Sequence, residues 1–337
     1  MLREFFIASL IGSVSLIAEE IKILDLDVIP YQELIQGDAK TLTILDKALH
    51  EKGIVGVKGV PGYKEKYEQF IKAAREFSSL PEEVKENYKP NRERDNTFLG
   101  YEMGKEKFRR PNGEWVVDDL KTSYYALIPD NVRNQWPLEV NLKDPFEALG
   151  EKMAEIGELI MYKIGLLGAT TGFHLEGDSR IGRMLYYRKS DNNDNPYWCG
   201  AHFDHGLFTA ILPAVYFADG EQIPEPPEAG LCVRTSEAVP FKKVSAQDFD
   251  VMMFQVGEFG QLATNDGIRA TEHRVHKAKE TIERYTLAVF YSPPMDMPIY
   301  SHSILTNDSR YGAKSGEPCT FRQWHEASLK RYLVKAD

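Results

Sequence analysis

Four of the eight histidines lie in two short segments that also carry acidic residues. The first segment, residues 201–205, reads Ala-His-Phe-Asp-His. Its His202 and Asp204 are separated by one residue, so on a β-strand both side chains point to the same face. A metal that takes one nitrogen and one oxygen ligand from a single strand needs this spacing. Alone, the pattern is a weak indication, because so short a motif arises by chance in many chains.

The second segment, residues 270–276, reads Ala-Thr-Glu-His-Arg-Val-His and supplies His273 and His276. Either histidine, provided by a separate strand, would complete a set of two histidines and one carboxylate with His202 and Asp204. Such a set holds non-haem Fe(II) and leaves positions open for substrate and oxygen. Two neutral imidazoles and one carboxylate leave the ferrous charge partly uncompensated, which favours an anionic co-ligand.

An anionic co-ligand would need a cationic anchor, and Arg284 with Thr286 could provide one. These two residues are again separated by one position and share a face of a strand. A guanidinium binds a carboxylate through two hydrogen bonds, and a hydroxyl adds another. Tyr187 is a candidate third donor. The competing interpretation of Arg284 is a surface salt bridge with Glu280 or Glu283.

The residues with this potential chemistry lie in a part of the chain that is rich in β-type sequence. From residue 183 to 293, short apolar runs alternate with turns and have no helices between them, which is typical of an antiparallel sandwich or barrel. Helical spacing of apolar residues appears before this region, at 63–79 and 147–168, and again at 321–334. Residues 89–120 are polar and charged, which predicts a long excursion over the surface.

The motifs taken in order resemble the isopenicillin N synthase-like family of Fe(II)/2-oxoglutarate-dependent dioxygenases. The resemblance extends over nearly all of residues 21–294. In the N-terminal half the matching pieces are LDLDVIP (24–30), GIVGVKGV (53–60), LPEEVKENY (80–88), LGYE (99–102) and DLKTSYY (119–125). In the rest they are Tyr186-Tyr187, His202-x-Asp204, Gly230-Leu231 with Val233, Val256-Gly257-Glu258, Thr264-Asn265-Asp266-Gly267, His273-Arg274-Val275, Arg284-x-Thr286 and Phe290-Tyr291-Ser292-Pro293.

This resemblance implies a mainly β fold with flanking helices. Its core would be a double-stranded β-helix, or jelly-roll, preceded by an α/β N-terminal region. We expect the dioxygenase N-terminal region at 21–135 and the jelly-roll core with a C-terminal helix at 145–337. Residues 1–20 would be a leader or an additional N-terminal helix.

The resemblance also implies the metal ligands. They would be His202, Asp204 and His273, with His273 preferred to His276 because the Arg-Val that accompanies the family's distal ligand follows it. The metal would be Fe(II), with 2-oxoglutarate as co-substrate and O2 as oxidant. The expected reaction is hydroxylation or desaturation of a small molecule, with release of succinate and CO2.

The co-substrate site follows from the resemblance in the same way. Arg284 and Thr286 would hold the distal carboxylate of 2-oxoglutarate, and Tyr187 would assist them. Thr286 replaces the family's usual serine but keeps the hydroxyl. Two other functional classes fit part of the sequence: an iron oxidase of the same fold that uses no 2-oxoglutarate, and a non-catalytic jelly-roll that binds metal. Retention of Arg284 and Thr286 argues against the oxidase, and the intact metal triad argues against the non-catalytic protein.

Substrate residues are less well marked. Tyr124, Tyr197, Trp198 and Phe203 are candidates for lining the substrate pocket, although aromatic residues in a β-rich core more often serve packing. Phe203 stands where a small polar residue is commoner in the family. Extra residues within 216–228 lengthen the segment between the two metal-binding strands, and we expect them to reshape the rim of the pocket.

Composition excludes several partners. The 41 Lys and Arg residues are outnumbered by 51 Asp and Glu, and the net charge of −10 argues against a surface for nucleic acid or anionic lipid. Three cysteines without a C-x-x-C pair predict neither a disulfide framework nor a cysteine-rich zinc site. No apolar run is long enough to predict a stable membrane span. The sequence carries no indication of the oligomeric state.

The N-terminal residues leave one question of location open. Residues 5–18 read FFIASLIGSVSLIA, which has the length of the apolar part of a signal peptide. Glu4 weakens the basic start, and Leu16 stands where a cleavage site requires a small residue. Because 2-oxoglutarate is a cytosolic co-substrate, we expect a cytoplasmic protein, with export as the alternative.

Overall fold

The fold is that of a computed structural model, which describes residues 21–90, 98–110, 113–167, 175, 179–190, 195–245 and 249–332. The segment 1–20, expected to be a leader or an extra helix, lies outside the described residues. Within the described ranges, no helix combines the length and the apolar character needed to cross a membrane.

Helices precede and follow the β-rich region, and one short helix, Glu258–Ala263, lies within it although the sequence pattern predicts none there. In α2, the Asp38 side chain accepts a hydrogen bond of 2.7 Å from the backbone of Thr41, which caps the helix at its start. In α3, Tyr67, Phe70 and Phe77 share the buried face that the sequence spacing predicts. The helices are α1 (Tyr31–Gln36), α2 (Ala39–Glu51), α3 (Tyr63–Ser78), α4 (Glu82–Glu86), α5 (Lys143–Lys163), α6 (Glu258–Ala263) and α7 (Phe321–Tyr332), with a 3-10 turn at Ile304–Asn307.

The strands form two large sheets and two short hairpins. They are β1 (Val28–Pro30), β2 (Ile54–Lys58), β3 (Gly100–Met103), β4 (Lys107–Arg109), β5 (Trp115–Val117), β6 (Lys121–Leu127), β7 (Arg180–Tyr187), β8 (Tyr197–His202), β9 (Phe208–Ile211), β10 (Val215–Ala218), β11 (Glu221–Ile223), β12 (Gly230–Arg234), β13 (Lys242–Lys243), β14 (Val251–Val256), β15 (Glu272–His276), β16 (Glu283–Tyr291), β17 (Pro298–Tyr300) and β18 (Pro318–Thr320).

The larger sheet has ten strands, and most of them follow the order β1-β2-β14-β9-β16-β7-β6-β3. The β10–β11 hairpin joins this sheet where β10 pairs with β16. The second sheet has four strands in the order β13-β12-β15-β8. The hairpins pair β4 with β5 and β17 with β18.

Strand β16 separates two layers of the core. Tyr285 and Leu287 point to one side and pack in the cluster that contains the apolar faces of α3 and α5. Ala288 packs instead among residues from the four-stranded sheet, such as Val233 and Val275. The alternation along a strand therefore turns the side of β16 that carries Arg284 and Thr286 toward the second sheet.

Two facing sheets with helices on the outside confirm the jelly-roll fold implied by the sequence. The expected boundary between the N-terminal region and the jelly-roll core lies at 135–145. Strands from both sides of it share the ten-stranded sheet, so the division into these two regions stays a prediction. Before β1, Ile23 forms an isolated parallel bridge with Lys243 of β13. The segment 89–120 does more than cross the surface: β3 to β5 lie within it.

A buried ion pair links α6 to the C-terminal part of the chain. The guanidinium of Arg310 donates to both carboxylate oxygens of Glu258, at 2.5 and 2.6 Å. Asp308 joins the same cluster and accepts from Arg331 on α7. This cluster holds α7 against the N-terminal end of α6.

We expect Arg310→Met to lower the free energy of unfolding by about 3–5 kcal/mol, because Glu258 would be left buried without its cation. Urea denaturation of the variant measures this. Arg322→Met is the matched control, since Arg322 pairs with Asp296 on the surface and its side chain is 50 % exposed. Equal stability losses in the two variants would contradict the structural role given to Arg310.

Candidate active site

The pairing of β15 with β8 brings two histidines together. These strands are antiparallel, and His273 lies directly opposite His202, with ring centroids 4.2 Å apart. Asp204 follows β8, and its Oδ1 lies 3.9 Å from Nε2 of each histidine. One ligand atom from each of the three residues lies within 4.8 Å of the others. The three form a cluster of the size that one metal ion can bridge.

Backbone carbonyl groups orient both imidazoles. Nδ1 of His202 lies 2.9 Å from the carbonyl oxygen of Gly200, and Nδ1 of His273 lies 3.2 Å from that of Thr271. Each Nδ1–H can therefore donate to a carbonyl group two residues earlier. This leaves the Nε2 lone pairs for a metal, which is the usual way in which a second hydrogen bond selects the ligating nitrogen.

The carboxylate of Asp204 is held by one oxygen only. Its Oδ2 accepts hydrogen bonds from Oγ1 of Thr209 at 2.6 Å and from Nε2 of Gln255 at 2.7 Å. Oδ1, by contrast, faces the histidines. The arrangement presents one carboxylate oxygen toward the metal position and fixes the other.

Protonation states also suit metal binding. Burial lowers the pKa of His273 to about 4, and the adjacent His202 acts in the same direction. Burial alone would raise the pKa of Asp204, but the two histidines and the hydrogen bonds from Thr209 and Gln255 hold it below its ordinary value. At neutral pH the site thus offers a neutral imidazole at His273 and an ionised carboxylate.

His276, the alternative ligand, lies outside this cluster. It ends β15 opposite Tyr197, and its ring packs against the Tyr197 ring with centroids 5.2 Å apart. The structure therefore brings together His202, Asp204 and His273.

The turn that carries Asp204 is fixed by the start of α6. The backbone N–H of Glu258 donates to the carbonyl of Asp204 at 2.8 Å, and that of Phe259 donates to Gly206 at 3.0 Å. Gly257 allows this approach, because a Cβ there would lie 2.2 Å from the Gly206 oxygen. The Val256-Gly257-Glu258 motif thus positions a metal ligand through its backbone.

Arg284 lies inside the jelly-roll between two tyrosines. It is opposite Tyr187 on β7 and opposite Tyr216 on β10, and its guanidinium carbon lies 4.7 Å from the Tyr187 ring centroid. The residue is 3 % exposed, so the surface salt bridge with Glu280 or Glu283 does not form. Its Nε donates to the Tyr216 hydroxyl at 3.3 Å, whereas its Nη1 is buried without a partner within the described residues.

Other polar groups surround this arginine. Thr286 is buried, and its hydroxyl donates to the carbonyl of Leu212 at 2.8 Å, so its oxygen still has acceptor capacity. Burial raises the pKa of Tyr187 to about 12, which keeps its phenol protonated. The indole N–H of Trp198 is also buried without a partner in the described part of the chain, and its ring centroid lies 5.9 Å from that of Tyr187. Unpartnered donors inside a closed core indicate a place for an acceptor.

A cavity of about 210 Å³ opens beside the metal ligands. Its wall includes His202, Phe203 and Asp204. Aromatic and aliphatic side chains supply much of the remaining wall, and charged side chains supply another part of it. The apolar members are Phe98, Phe108, Trp115, Tyr125, Ile181, Phe290 and Leu329, and the charged ones are Glu106, Lys107, Arg109, Asp118, Lys121 and Arg183.

Of the four candidate substrate residues, Phe203 lines this cavity. Tyr124 lies in the helix-side core, where its ring contacts Phe77 and its hydroxyl donates to the Gln135 carbonyl. Tyr197 packs on His276, and Trp198 lies beside Tyr187, so neither reaches the cavity wall.

The β4–β5 hairpin closes one side of the cavity. Phe108 packs on Gly200 of β8, where an added Cβ would lie 2.3 Å from the Phe108 side chain. The segment expected to reshape the pocket rim, residues 216–228, does not contribute to the cavity wall. It forms the β10–β11 hairpin on the larger sheet. Residues from 98–125 contribute a large part of the cavity wall instead, together with residues of the jelly-roll core.

Known proteins resemble this chain along most of its length. The family described as the N-terminal region of non-haem dioxygenases in morphine synthesis matches residues 21–139. Jasmonate-induced oxygenase 1 of Arabidopsis thaliana is 27 % identical over 297 residues, which cover 83 % of this chain and 67 % of the relative. Jasmonate-induced oxygenase 4 of the same plant is 27 % identical over 67 % of this chain and 61 % of its own length. The chain is thus similar to the Fe(II)/2-oxoglutarate-dependent dioxygenases of the isopenicillin N synthase-like family.

Solved structures of other proteins share the fold of this chain. A full-length protein of Neurospora crassa, solved in complex with α-ketoglutarate, superposes with a TM-score of 0.69 at 21 % identity over 93 % of this chain and 99 % of that one. JOX2, solved with 2-oxoglutarate, iron and JA, gives a TM-score of 0.66 at 20 % identity over 94 % of this chain and 92 % of that one. The chain spans between 61 and 71 % of the length of four curated relatives.

The residues present fit the cofactors of the family, which are Fe(II) and 2-oxoglutarate. Two imidazole nitrogens and one carboxylate oxygen are the donor set of a non-haem ferrous site. The guanidinium of Arg284, whose Nη1 has no hydrogen-bond partner among the described residues, could supply the buried cation that a dicarboxylate co-substrate needs. The described residues thus include side chains whose chemistry fits both the metal and the anionic co-substrate.

Three supporting residues were missed from the sequence: Thr209, Gln255 and Tyr216. None lies in a metal-ligand pattern. Gln255 and Tyr216 bond to residues 51 and 68 positions away, whereas Thr209 is only 5 residues from Asp204. The available signal for Gln255 was its place directly before the Val256-Gly257-Glu258 motif. Tyr216 has no such signal, because only strand pairing places it beside Arg284.

Proposed function

We propose that this dioxygenase binds Fe(II) through His202, Asp204 and His273 and oxidises a small molecule in the adjoining cavity. The observation that carries this proposal is the convergence of the three ligand atoms at the wall of that cavity. Bound iron and 2-oxoglutarate supply the oxidising power, as O2 is consumed and 2-oxoglutarate is converted to succinate and CO2. The expected outcome for the substrate is hydroxylation or desaturation.

The protein's own contribution at the metal is preorganisation. The carbonyl groups of Gly200 and Thr271 fix the two imidazole rings, while Thr209 and Gln255 fix the carboxylate. Because each ligand is held before metal binds, little conformational freedom is lost on binding, and the side of the metal facing the cavity stays open.

For the co-substrate, we propose Arg284, Thr286 and Tyr187 as the site of the distal carboxylate. Support comes from the burial of all three residues and from Nη1 of Arg284, which has no partner in the described part of the chain. A guanidinium in a dry interior binds a carboxylate more strongly than one exposed to water. Thr286 lies two residues after Arg284 on the same strand, β16, and Tyr187 lies opposite Arg284 on the neighbouring strand β7.

The cavity supports a small, largely apolar substrate that also carries polar groups. Aromatic rings such as Phe203, Phe290 and Trp115 would cover its body, and Arg183 or Lys107 could meet a polar end. JOX2 was solved with JA and the Neurospora crassa protein with thymine, so these two compounds are suitable first probes. We place the reaction in the cytoplasm, where 2-oxoglutarate is available, and propose no nucleic-acid partner for so acidic a chain.

An anaerobic titration tests this proposal directly. Addition of Fe(II) and then 2-oxoglutarate to the purified protein is expected to produce the weak visible absorption band of the iron–2-oxoglutarate chelate. In air, a panel containing jasmonic acid, thymine and related small molecules is then screened for faster succinate release. Iron binding without a chelate band would favour the 2-oxoglutarate-independent oxidase, and failure of iron to bind would refute the metal site.

A further inference from the structure

We propose that the β10–β11 hairpin positions the co-substrate arginine through a chain of hydrogen bonds from Arg284 to Tyr216 and Glu225. This inference rests on the proposed function, because it assumes that Arg284 binds 2-oxoglutarate. It makes Tyr216 and Glu225 positioning residues for the dioxygenase reaction, although neither belongs to a metal or co-substrate motif.

The first link lies in the sheet. Residue 216 is the cross-strand partner of Arg284 on β10, and Tyr216 is almost fully buried. Its hydroxyl oxygen accepts from Nε of Arg284 at 3.3 Å. Nε points to one edge of the planar guanidinium, so this bond fixes the plane while the Nη groups stay available.

The second link is made by the segment that distinguishes this chain from the family pattern. The Tyr216 hydroxyl donates to Oε2 of Glu225 at 3.0 Å, and Oε1 of Glu225 pairs with Nζ of Lys243 at 2.9 Å. Lys243 also donates to the carbonyl groups of Pro226 and Pro227, at 2.8 and 3.1 Å. Its ammonium group therefore anchors both the carboxylate and the backbone that carries it.

This arrangement has a chemical advantage for anion binding. A carboxylate in direct contact with Arg284 would compete with 2-oxoglutarate for the guanidinium. Here Glu225 acts through the neutral phenol of Tyr216, whose pKa is raised by burial. Within the described residues, Arg284 makes no ion pair with a carboxylate, so its positive charge remains for the co-substrate.

The experiment compares two ligands of the Fe(II)-loaded enzyme under anaerobic conditions. 2-Oxoglutarate uses both the metal and the distal carboxylate site, whereas oxalate chelates the metal but has no distal carboxylate. For Tyr216→Phe and Glu225→Ala, we expect the Kd of 2-oxoglutarate to rise about tenfold, since the hydrogen bond that orients a charged group is lost. The Kd of oxalate should not change, and the maximal rate of 2-oxoglutarate consumption at saturation should be retained.

Two further variants sharpen the comparison. Glu225→Gln keeps an acceptor for the Tyr216 hydroxyl and should restore most of the affinity lost in Glu225→Ala. Glu221→Ala is the control, because Glu221 is exposed on the same hairpin. This variant should bind both ligands as the unmodified enzyme does.

The outcomes distinguish a failure of this inference from a failure of the proposed co-substrate site. If Arg284→Ala weakens 2-oxoglutarate binding while Tyr216→Phe and Glu225→Ala do not, the positioning role is wrong and the co-substrate site stands. If Arg284→Ala has no effect, the co-substrate site is wrong and the inference fails with it. Equal weakening of oxalate and 2-oxoglutarate in the hairpin variants would indicate a general structural defect and would also overturn the inference.

Discussion

Replacing His273 with alanine is expected to reduce 2-oxoglutarate-dependent turnover by more than about 100-fold, because changes to groups that merely support a metal ligand already cost about 10–100-fold. His273 is buried opposite His202, and no second imidazole in the described structure reaches the same position. The variant should lose bound Fe(II) on dialysis. Iron content and the rate of succinate release measure the two effects.

His276→Ala is the matched control for this experiment. The residue lies on the same strand, but its ring packs on Tyr197 and is outside the ligand cluster. Most of the iron and most of the turnover should therefore remain. Loss of iron in His276→Ala but not in His273→Ala would transfer the distal ligand to His276, and thermal unfolding of both variants checks that the folds are intact.

Some of this site follows from residue spacing alone. Strand periodicity predicts that His202 and Asp204 face the same way and that Arg284 and Thr286 do so too. The structure agrees for Arg284 and Thr286, which share the inner face of β16. Asp204 reaches the metal position from the turn after β8 instead of from the strand itself. The local pattern thus predicts which side chains share a face, and the turn after β8 sets the position of Asp204.

Cross-strand register is what the sequence does not contain. His273 becomes a ligand because β15 pairs with β8 in a register that places it opposite His202, and Tyr216 meets Arg284 for the same reason. These contacts depend on how distant strands align, which no local pattern specifies. The choice of His273 over His276 was therefore available only through the family resemblance.

The aromatic residues illustrate how sensitive such predictions are to a single position. Tyr124 points into the helix-side core, whereas Tyr125, its neighbour on β6, lines the cavity. Adjacent residues of a strand face opposite sides, so an error of one residue exchanges packing for substrate contact. The charged segment 89–120 gave no sign of its role either, because its contribution to the cavity arises only when the β4–β5 hairpin packs on Gly200.

Arg284→Ala is expected to raise the Kd of 2-oxoglutarate by about 100-fold or more, because a buried charge-assisted pair is lost while the co-substrate still has to be desolvated. Fe(II) binding should be unchanged, since Arg284 contacts none of the three metal ligands. Arg284→Lys keeps the charge but not the planar fork, so an intermediate affinity is expected. Chelate absorption during an anaerobic titration measures the Kd of 2-oxoglutarate in both variants, and iron content measures the binding of Fe(II). Arg322→Ala on the surface serves as the control.

The large effect expected for Arg284→Ala follows from a comparison of Arg284 with the other cations inside the fold near the cavity. Lys121 and Arg183 also lie inside the fold near the cavity, but Lys121 pairs with Glu106 and Asp118, and Arg183 pairs with Glu106. Their charges are already compensated, whereas Arg284 has no carboxylate partner among the described residues and has a buried N–H without an acceptor. An incoming dicarboxylate therefore gains most at Arg284. An unchanged 2-oxoglutarate requirement in Arg284→Ala would mean that the co-substrate displaces one of the paired acids, and Lys121 and Arg183 would then be the next residues to replace.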